Sequence, residues 1–312
     1  LTTADDNSIH VYDSDTGALK NHTYSYKYGC RLGCFTHDPA KVVYASNPDV
    51  RADHALRYHS LTDNKYIAYF PGHRDKVVSL SLCPNNDVLI SSSVDLSVRW
   101  YDLKENKPMG SLKFDPSSTP VLAAGIAAVP VVAYEPQGTS FAVAIGPSVK
   151  LYDMRTYNGK DFPGGPFDTF DLSGKVAAGG GGVDAGTWHW SSIEFSSDGQ
   201  YLLLASLASV FLVDAFCGEL VWMKKRANVN RACLPAVFTP DAQFVIYGSD
   251  DAAVHVVSSG TGEFDVHLPT GYSHSPVGSA ARVPTGLAWC PNKFMFACAS
   301  ETLALWAPIP LQ

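Results

Sequence analysis

The chain has 312 residues, 46% of them hydrophobic and 17% charged, with a net charge of −7 at neutral pH. That composition supplies a sizeable core and excludes wholesale disorder. The acidic balance argues against nucleic-acid binding through the overall field, and no apolar run approaches the roughly 18 residues of a membrane helix.

In chain order, the opening LTTADDNSIH reads as the interior of a longer chain rather than a natural start. SIHVYD, ending at Asp13, reads as a strand, and Asp13–Gly17 as the turn that follows it. That turn faintly resembles a calcium loop, but the position needing a bidentate acid is Tyr24. Next comes a phrase that recurs six times: an apolar strand, a turn of Pro, Asp, Asn or Gly, and a second apolar strand. It appears as CFTHDPAKVVYAS near Phe35, LSLCPNNDVLISSS near Leu82 and VAYEPQGTSFAVAIG near Tyr134. It returns as IEFSSDGQYLLLAS near Phe195, AVFTPDAQFVIYGS near Phe238 and LAWCPNKFMFACAS near Trp289. A third strand follows each hairpin, ending at Ser60, Asp102, Asp153, Asp214, Val257 and Trp306. With Asp13 that makes seven third strands for six hairpins, and Leu1–Thr3 fit the tail of a seventh hairpin.

Period-2 apolar patterning with frequent turn residues predicts strands throughout, and the spacing suits a four-stranded unit of about 40–45 residues plus insertions. Such units bury both faces only by packing around an axis. The expected fold is therefore all-β: a seven-bladed β-propeller as a single domain over 1–312, its first blade incomplete at the N-terminus. Roughly 25–40 upstream residues, judged from one blade period, would complete it. Residues 171–187, with KVAAGGGGVDAG, read as a Gly-rich flexible insertion, and GYSHSPVGSAAR near Ser275 as a long loop.

The third unit carries Gly72-His73 and then SSSVDLSVRWYD, the signature of a WD repeat. In such repeats a His, a Ser, a turn Asp and an aromatic form a buried hydrogen-bond chain, here His73, Ser91, Asp95 and Tyr101. Buried polar groups need partners, so this tetrad is expected to rigidify the blade. Read as a hydrolase triad the same residues lack a nucleophile elbow. Gly179–Gly182 lacks the strand and the Gly-Lys-Ser/Thr of a phosphate loop. The seven cysteines show no CxxC pair and no zinc spacing, which points to a reducing compartment. No catalytic, cofactor or metal residues are expected. Candidate partner-binding residues on the rim are Tyr28, Arg31, Arg74, Lys76, Trp188, His189 and Arg231, of types enriched at interfaces or charged.

The second and third units are more specific. YKYGCRLGCFTHDPAKVVYAS and ALRYHSLTDNKYIAYFPGH, above all DNKYIAYFPGH from Asp63 to His73, resemble the WD-repeat protein 82 (Swd-two) family. VKLYDMRTY, GPFDTF, LVDAFCGELV, VFTPDAQFVIYGSDD and CPNKFMFACAS match it in order, from Ala4 to Pro308. The Gly-rich insert near Gly180, the loop near Ser275 and SLKFDPSSTPVLAAGIAAVP depart from the compact family form.

The resemblance implies a nuclear, non-catalytic scaffold with two homes. One is the Set/COMPASS histone methyltransferase; the other is a protein phosphatase 1 complex that promotes termination by RNA polymerase II. The implied partner is a large nuclear scaffold subunit of the phosphatase complex, a Set-type methyltransferase, or both, bound through extended segments. Neither direct nucleic-acid contact nor a membrane is expected, and the chain would be a monomer within a hetero-complex. The rival readings are a generic WD adaptor, such as a ubiquitin-ligase substrate receptor, and an enzymatic propeller. DNKYIAYFPGH argues against the first, and the absence of a repeated Ser-x-Asp-x-Gly-x-Thr-Trp box against the second.

Overall fold

A computed structural model describes residues 1–4, 6–50, 53–117, 128–157, 165–178, 187–226, 233–251, 253–263, 266–269, 285–290, 293, 295–300 and 303–306. Those residues form seven antiparallel sheets in chain order. The first holds β1 (Thr2–Thr3), β2 (Ser8–Tyr12) and β3 (Leu19–Tyr24). The second holds β4 (Arg31–Phe35), β5 (Lys41–Ala45), β6 (Leu56–Ser60) and β7 (Lys65–Phe70). The third holds β8 (Val77–Leu82), β9 (Val88–Ser93), β10 (Ser97–Asp102) and β11 (Lys107–Lys113). The fourth holds β12 (Val131–Tyr134), β13 (Ser140–Ile145), β14 (Ser148–Asp153) and β15 (Asp168–Asp171). After α1 (Ser173–Ala178) the fifth holds β16 (Trp190–Phe195), β17 (Tyr201–Ser206), β18 (Ser209–Asp214) and β19 (Leu220–Lys225). The sixth holds β20 (Ala236–Phe238), β21 (Phe244–Gly248), β22 (Ala253–Ser258) and β23 (Val266–Pro269). The last holds β24 (Gly286–Trp289), β25 (Phe296–Ala299) and β26 (Leu303–Trp306). Leu1–Thr3 supply the expected strand tail: Thr2 pairs with His10 and Thr3 with Ile9.

Two devices repeat from sheet to sheet. The turn after the third strand is closed by an Asp at its end or directly after it. Asp13, Asp102 and Asp214 each accept hydrogen bonds from the backbone N–H groups two and three residues on, at 2.7–3.1 Å. A carboxylate so placed satisfies donors that a tight turn leaves unpaired, which is why Asp recurs there. The second device is a register shift between third and fourth strands, at Val11/Tyr12, Tyr58/His59, Trp100/Tyr101 and Leu212/Val213. A bulge at one position in four sheets marks a structural repeat and increases local twist.

Contacts divide the chain into two compact units: 1–118 with 129–141 and 152–167, and 119–128 with 142–151 and 168–312. Within the first, alternate residues of one strand serve two cores. Val42 and Tyr44 of β5 pack with Ile9, Cys30 and Leu61, whereas Val43 and Ala45 pack with Phe70, Val77, Leu89 and Tyr101. The second unit does the same at β21. There Val245 and Tyr247 join Leu212 and Trp222, while Ile246 joins Phe296 and Cys298. A strand buried on both faces reads as a continuous apolar run, as VVYA and VIY do.

Part of the span expected to be a flexible insertion is structured. In 171–187, Asp171 accepts the Ser173 N–H at 2.9 Å to open α1, and Leu172 and Val176 are buried. The ammonium of Lys175 donates to the Gly218 carbonyl at 2.7 Å and to Glu219 at 3.0 Å. Leu172 and Val176 are four apart, on one helical face, and their burial offsets the poor propensity of Gly174. Residues 179–186, and the Ser275 loop, lie outside the described residues.

Glu194 of β16 is an exception among these core-forming strands. Burial pushes its carboxyl up to about 8, and a backbone hydrogen bond from Phe238 offsets this only in part. Between the ordinary glutamate range and pH 8 the folded chain keeps a proton that the unfolded chain releases. Stability from this group therefore falls as pH rises through that window. Glu194→Gln is expected to remove that slope, raising the melting temperature at pH 8 with little effect at pH 4.

Candidate functional site

The turn between β9 and β10 places Asp95 where its side chain can reach back to the segment before β8. Asp95 Oδ1 accepts the Ser97 N–H at 3.0 Å and the Ser97 hydroxyl at 2.6 Å. Its Oδ2 accepts the Arg74 N–H at 2.7 Å and lies 3.3 Å from His73 Nδ1. The other ring nitrogen, Nε2, is 2.7 Å from the Ser91 hydroxyl. Leu96 adopts a left-handed φ of 58° to make the turn. Burial alone would raise the Asp95 carboxyl, but the bonds from His73, Ser97 and Arg74 outweigh it and hold it well below the usual range.

The hydrogen-bond chain ends at Ser91. Tyr101 is fully buried, its ring 5.0 Å from Phe70 in the core, and its hydroxyl makes no bond of ordinary length among the described residues. Burial pushes that hydroxyl up to about 12, with Ser91 and Arg99 pulling the other way. Ser97, which the sequence reading missed, takes two places in the network, on Asp95 and 3.2 Å from His73 Nδ1. The Asp-x-Ser spacing, repeated as Asp6-Asn7-Ser8, is the signal that could have found it: Asp6 likewise accepts the Ser8 N–H, at 2.9 Å.

The candidate rim residues fall in different surroundings. Arg74 is exposed and Lys76 half-buried, both in the segment before β8. Trp188 and His189 precede β16. Trp188 is stacked inward on Phe211 at 6.0 Å and meets Trp190 edge-on, while burial lowers the His189 imidazole. Arg231 lies outside the described residues. Tyr28 and Arg31 are half-buried at the start of the second sheet.

Tyr28 belongs to a cluster the sequence did not reveal. Its ring centroid is 4.0 Å from the guanidinium carbon of Arg57, and Tyr69 lies 4.8 Å from the same carbon. Arg57 is 2% exposed and ion-paired with Asp53. Tyr66 closes the group, 5.2 Å from Tyr69 and 6.1 Å from Tyr28. A buried guanidinium between two aromatic faces is held by cation–π attraction, strongest where water is excluded. Among the described residues, no three His, Cys, Asp or Glu side chains gather as a metal-binding set.

Seven successive antiparallel sheets, Asp-closed turns and the His73–Ser91–Asp95 network define a seven-bladed β-propeller of the WD-repeat class. Residues 64–102 match the WD domain, G-beta repeat family. Relatives cover nearly the whole chain. ANTHESIS POMOTING FACTOR 1 of Arabidopsis thaliana is 32% identical over 99% of this chain and 83% of its own length. WD repeat-containing protein 82 of Drosophila melanogaster is 32% identical over 99% and 86%. COMPASS component SWD2 of Saccharomyces cerevisiae is 31% identical over 97% and 85%. The chain belongs to the WD repeat-containing protein 82/SWD2 family.

Proposed function

We propose that this chain is a non-catalytic docking subunit of a nuclear Set1/COMPASS-type histone methyltransferase complex, folded as one propeller over residues 1–312. The similarity to COMPASS component SWD2 along almost the full chain carries this reading. A relative in Schizosaccharomyces pombe, Set1 complex component swd2, is 27% identical over 91% of the chain and supports it. The finer reading adds the protein phosphatase 1 complex of polymerase II termination as a second home. Its support is the family resemblance of DNKYIAYFPGH and the segments after it. In either setting the chain engages extended segments of a large scaffold subunit, using rim residues among Tyr28, Arg31, Arg74, Lys76, Trp188, His189 and Arg231. His73, Ser91, Asp95 and Tyr101 serve the blade itself.

The test is affinity capture of the tagged chain from nuclear extract, with mass spectrometry of what is retained. A Set-type methyltransferase, a protein phosphatase 1 catalytic subunit, or both, are expected in the eluate. The isolated chain is expected to lack methyltransferase and phosphatase activity. Retention of cytosolic proteins alone, or either activity in the purified chain, would sink the proposal.

A further inference from the structure

From Thr16 to His37 the chain carries Lys20, Lys27 and Arg31 and no acidic residue, within a protein whose net charge is −7. Lys20 is ion-paired with Asp13 at 2.7 Å, so the positive charge offered there is that of Lys27 and Arg31. Three tyrosines fall in the same stretch. Tyr24 and Tyr26 stack with centroids 4.9 Å apart and planes 4° off parallel, yet they are 45% and 67% exposed. Ser25 between them points inward, its hydroxyl 3.4 Å from the Tyr66 hydroxyl of β7. Tyr28 then meets Tyr66 and Tyr69, the latter 49% exposed. Two aromatic groups thus flank the link from β3 to β4: the exposed Tyr24–Tyr26 stack, and Tyr28 with Tyr69 of β7.

Two features select what this surface takes. The buried Arg57 fixes the Tyr28 and Tyr69 rings, so a ligand stacking there costs little side-chain freedom. Asp53 neutralises that guanidinium, and the net positive charge at the rings comes from Lys27, whose Nζ is 5.1 Å from the Tyr28 centroid. A further cation is repelled and a carboxylate attracted. Flat ring faces and phenolic hydroxyls suit prolyl or apolar side chains and peptide carbonyls. Single-stranded RNA also stacks on tyrosines, but it needs cations along its backbone, and an acidic chain with this short basic stretch opposes it.

We infer that this tyrosine-and-lysine surface docks an extended acidic peptide segment of a partner protein. Prolyl or apolar side chains lie on Tyr24, Tyr26 and Tyr69, and carboxylates face Lys27, with Arg31 four residues further on. The inference rests on the docking-subunit reading and adds a surface and a partner chemistry to it.

The probe is a fluorescein-labelled peptide of alternating glutamate and proline, titrated with the full chain and read by fluorescence anisotropy. Binding is expected to weaken with salt and to exceed that of an alternating lysine–proline peptide and of oligouridylate. Tyr26→Ala and Lys27→Glu, both at exposed side chains, should each weaken it about tenfold without moving the melting temperature. Phe216→Ala, at a 75% exposed aromatic in the turn between β18 and β19, should leave it unchanged. No binding by the wild type, equal binding of oligouridylate, or no effect of the Tyr26 and Lys27 changes overturns the surface. Should the wild type still capture the methyltransferase or the phosphatase in that case, the docking-subunit reading survives; should it capture neither, both fall.

Discussion

Asp95→Ala is expected to cost about 1–3 kcal/mol, the range for leaving buried hydrogen-bond donors without their acceptor. The change takes the shared acceptor from the Ser97 N–H and hydroxyl and from the Arg74 N–H, and leaves the inaccessible His73 ring held by Ser91 and Ser97 alone. Against a total stability of about 5–15 kcal/mol, that is a large fraction of the margin. Asp95→Asn keeps an acceptor and should lose less. The folded carboxyl titrates below its unfolded value, so its contribution is complete above about pH 4 and disappears as pH falls toward the folded pKa. Urea unfolding across pH 3–7 should show an acid limb in the wild type that shrinks in Asp95→Asn. An identical limb in both would remove Asp95 from the account.

Arg57→Ala should lose about 3 kcal/mol. The buried guanidinium bridges two tyrosine faces, its stem packs in the interior, and its absence leaves a gap between the rings. Asp53 is 28% exposed and can recover hydration, so the loss comes from the stacked rings more than from the broken ion pair. Arg57→Lys keeps the charge without the flat face and should fall between wild type and alanine. Thermal unfolding with tyrosine near-UV circular dichroism reads both effects. A lysine variant as stable as wild type would contradict the stacking account.

Much of this was legible in the sequence for a local reason. The hairpins and third strands announce themselves because turn chemistry and alternation act within a few residues, as in SSDG around Asp198 and RWYD at Asp102. His73, Ser91 and Asp95 were readable for the same cause, since repeat grammar spaces them. Tyr101 was placed in the network, yet its ring fills core beside Phe70 and its hydroxyl bonds nothing at ordinary length. Arg57 was illegible. In ALRYHS it looks like an outward-facing charge, and its burial is explained by Tyr69 of the neighbouring strand together with Tyr28, which arrives on the link from the first sheet. Helix α1 was hidden too, because SGKVAA has a linker's composition and its order depends on where Leu172 and Val176 land.

The side-chain-closed turns bear on how the chain acquires its shape. Asp13, Asp102 and Asp214 find their donors within three residues, so each outer hairpin can form on its own in microseconds, ahead of any distant pairing. What remains slow is bringing one preformed ribbon against the next, a step with larger loop-closure entropy. A nascent chain would therefore sample these ribbons early, and each would persist once a neighbour packed against it.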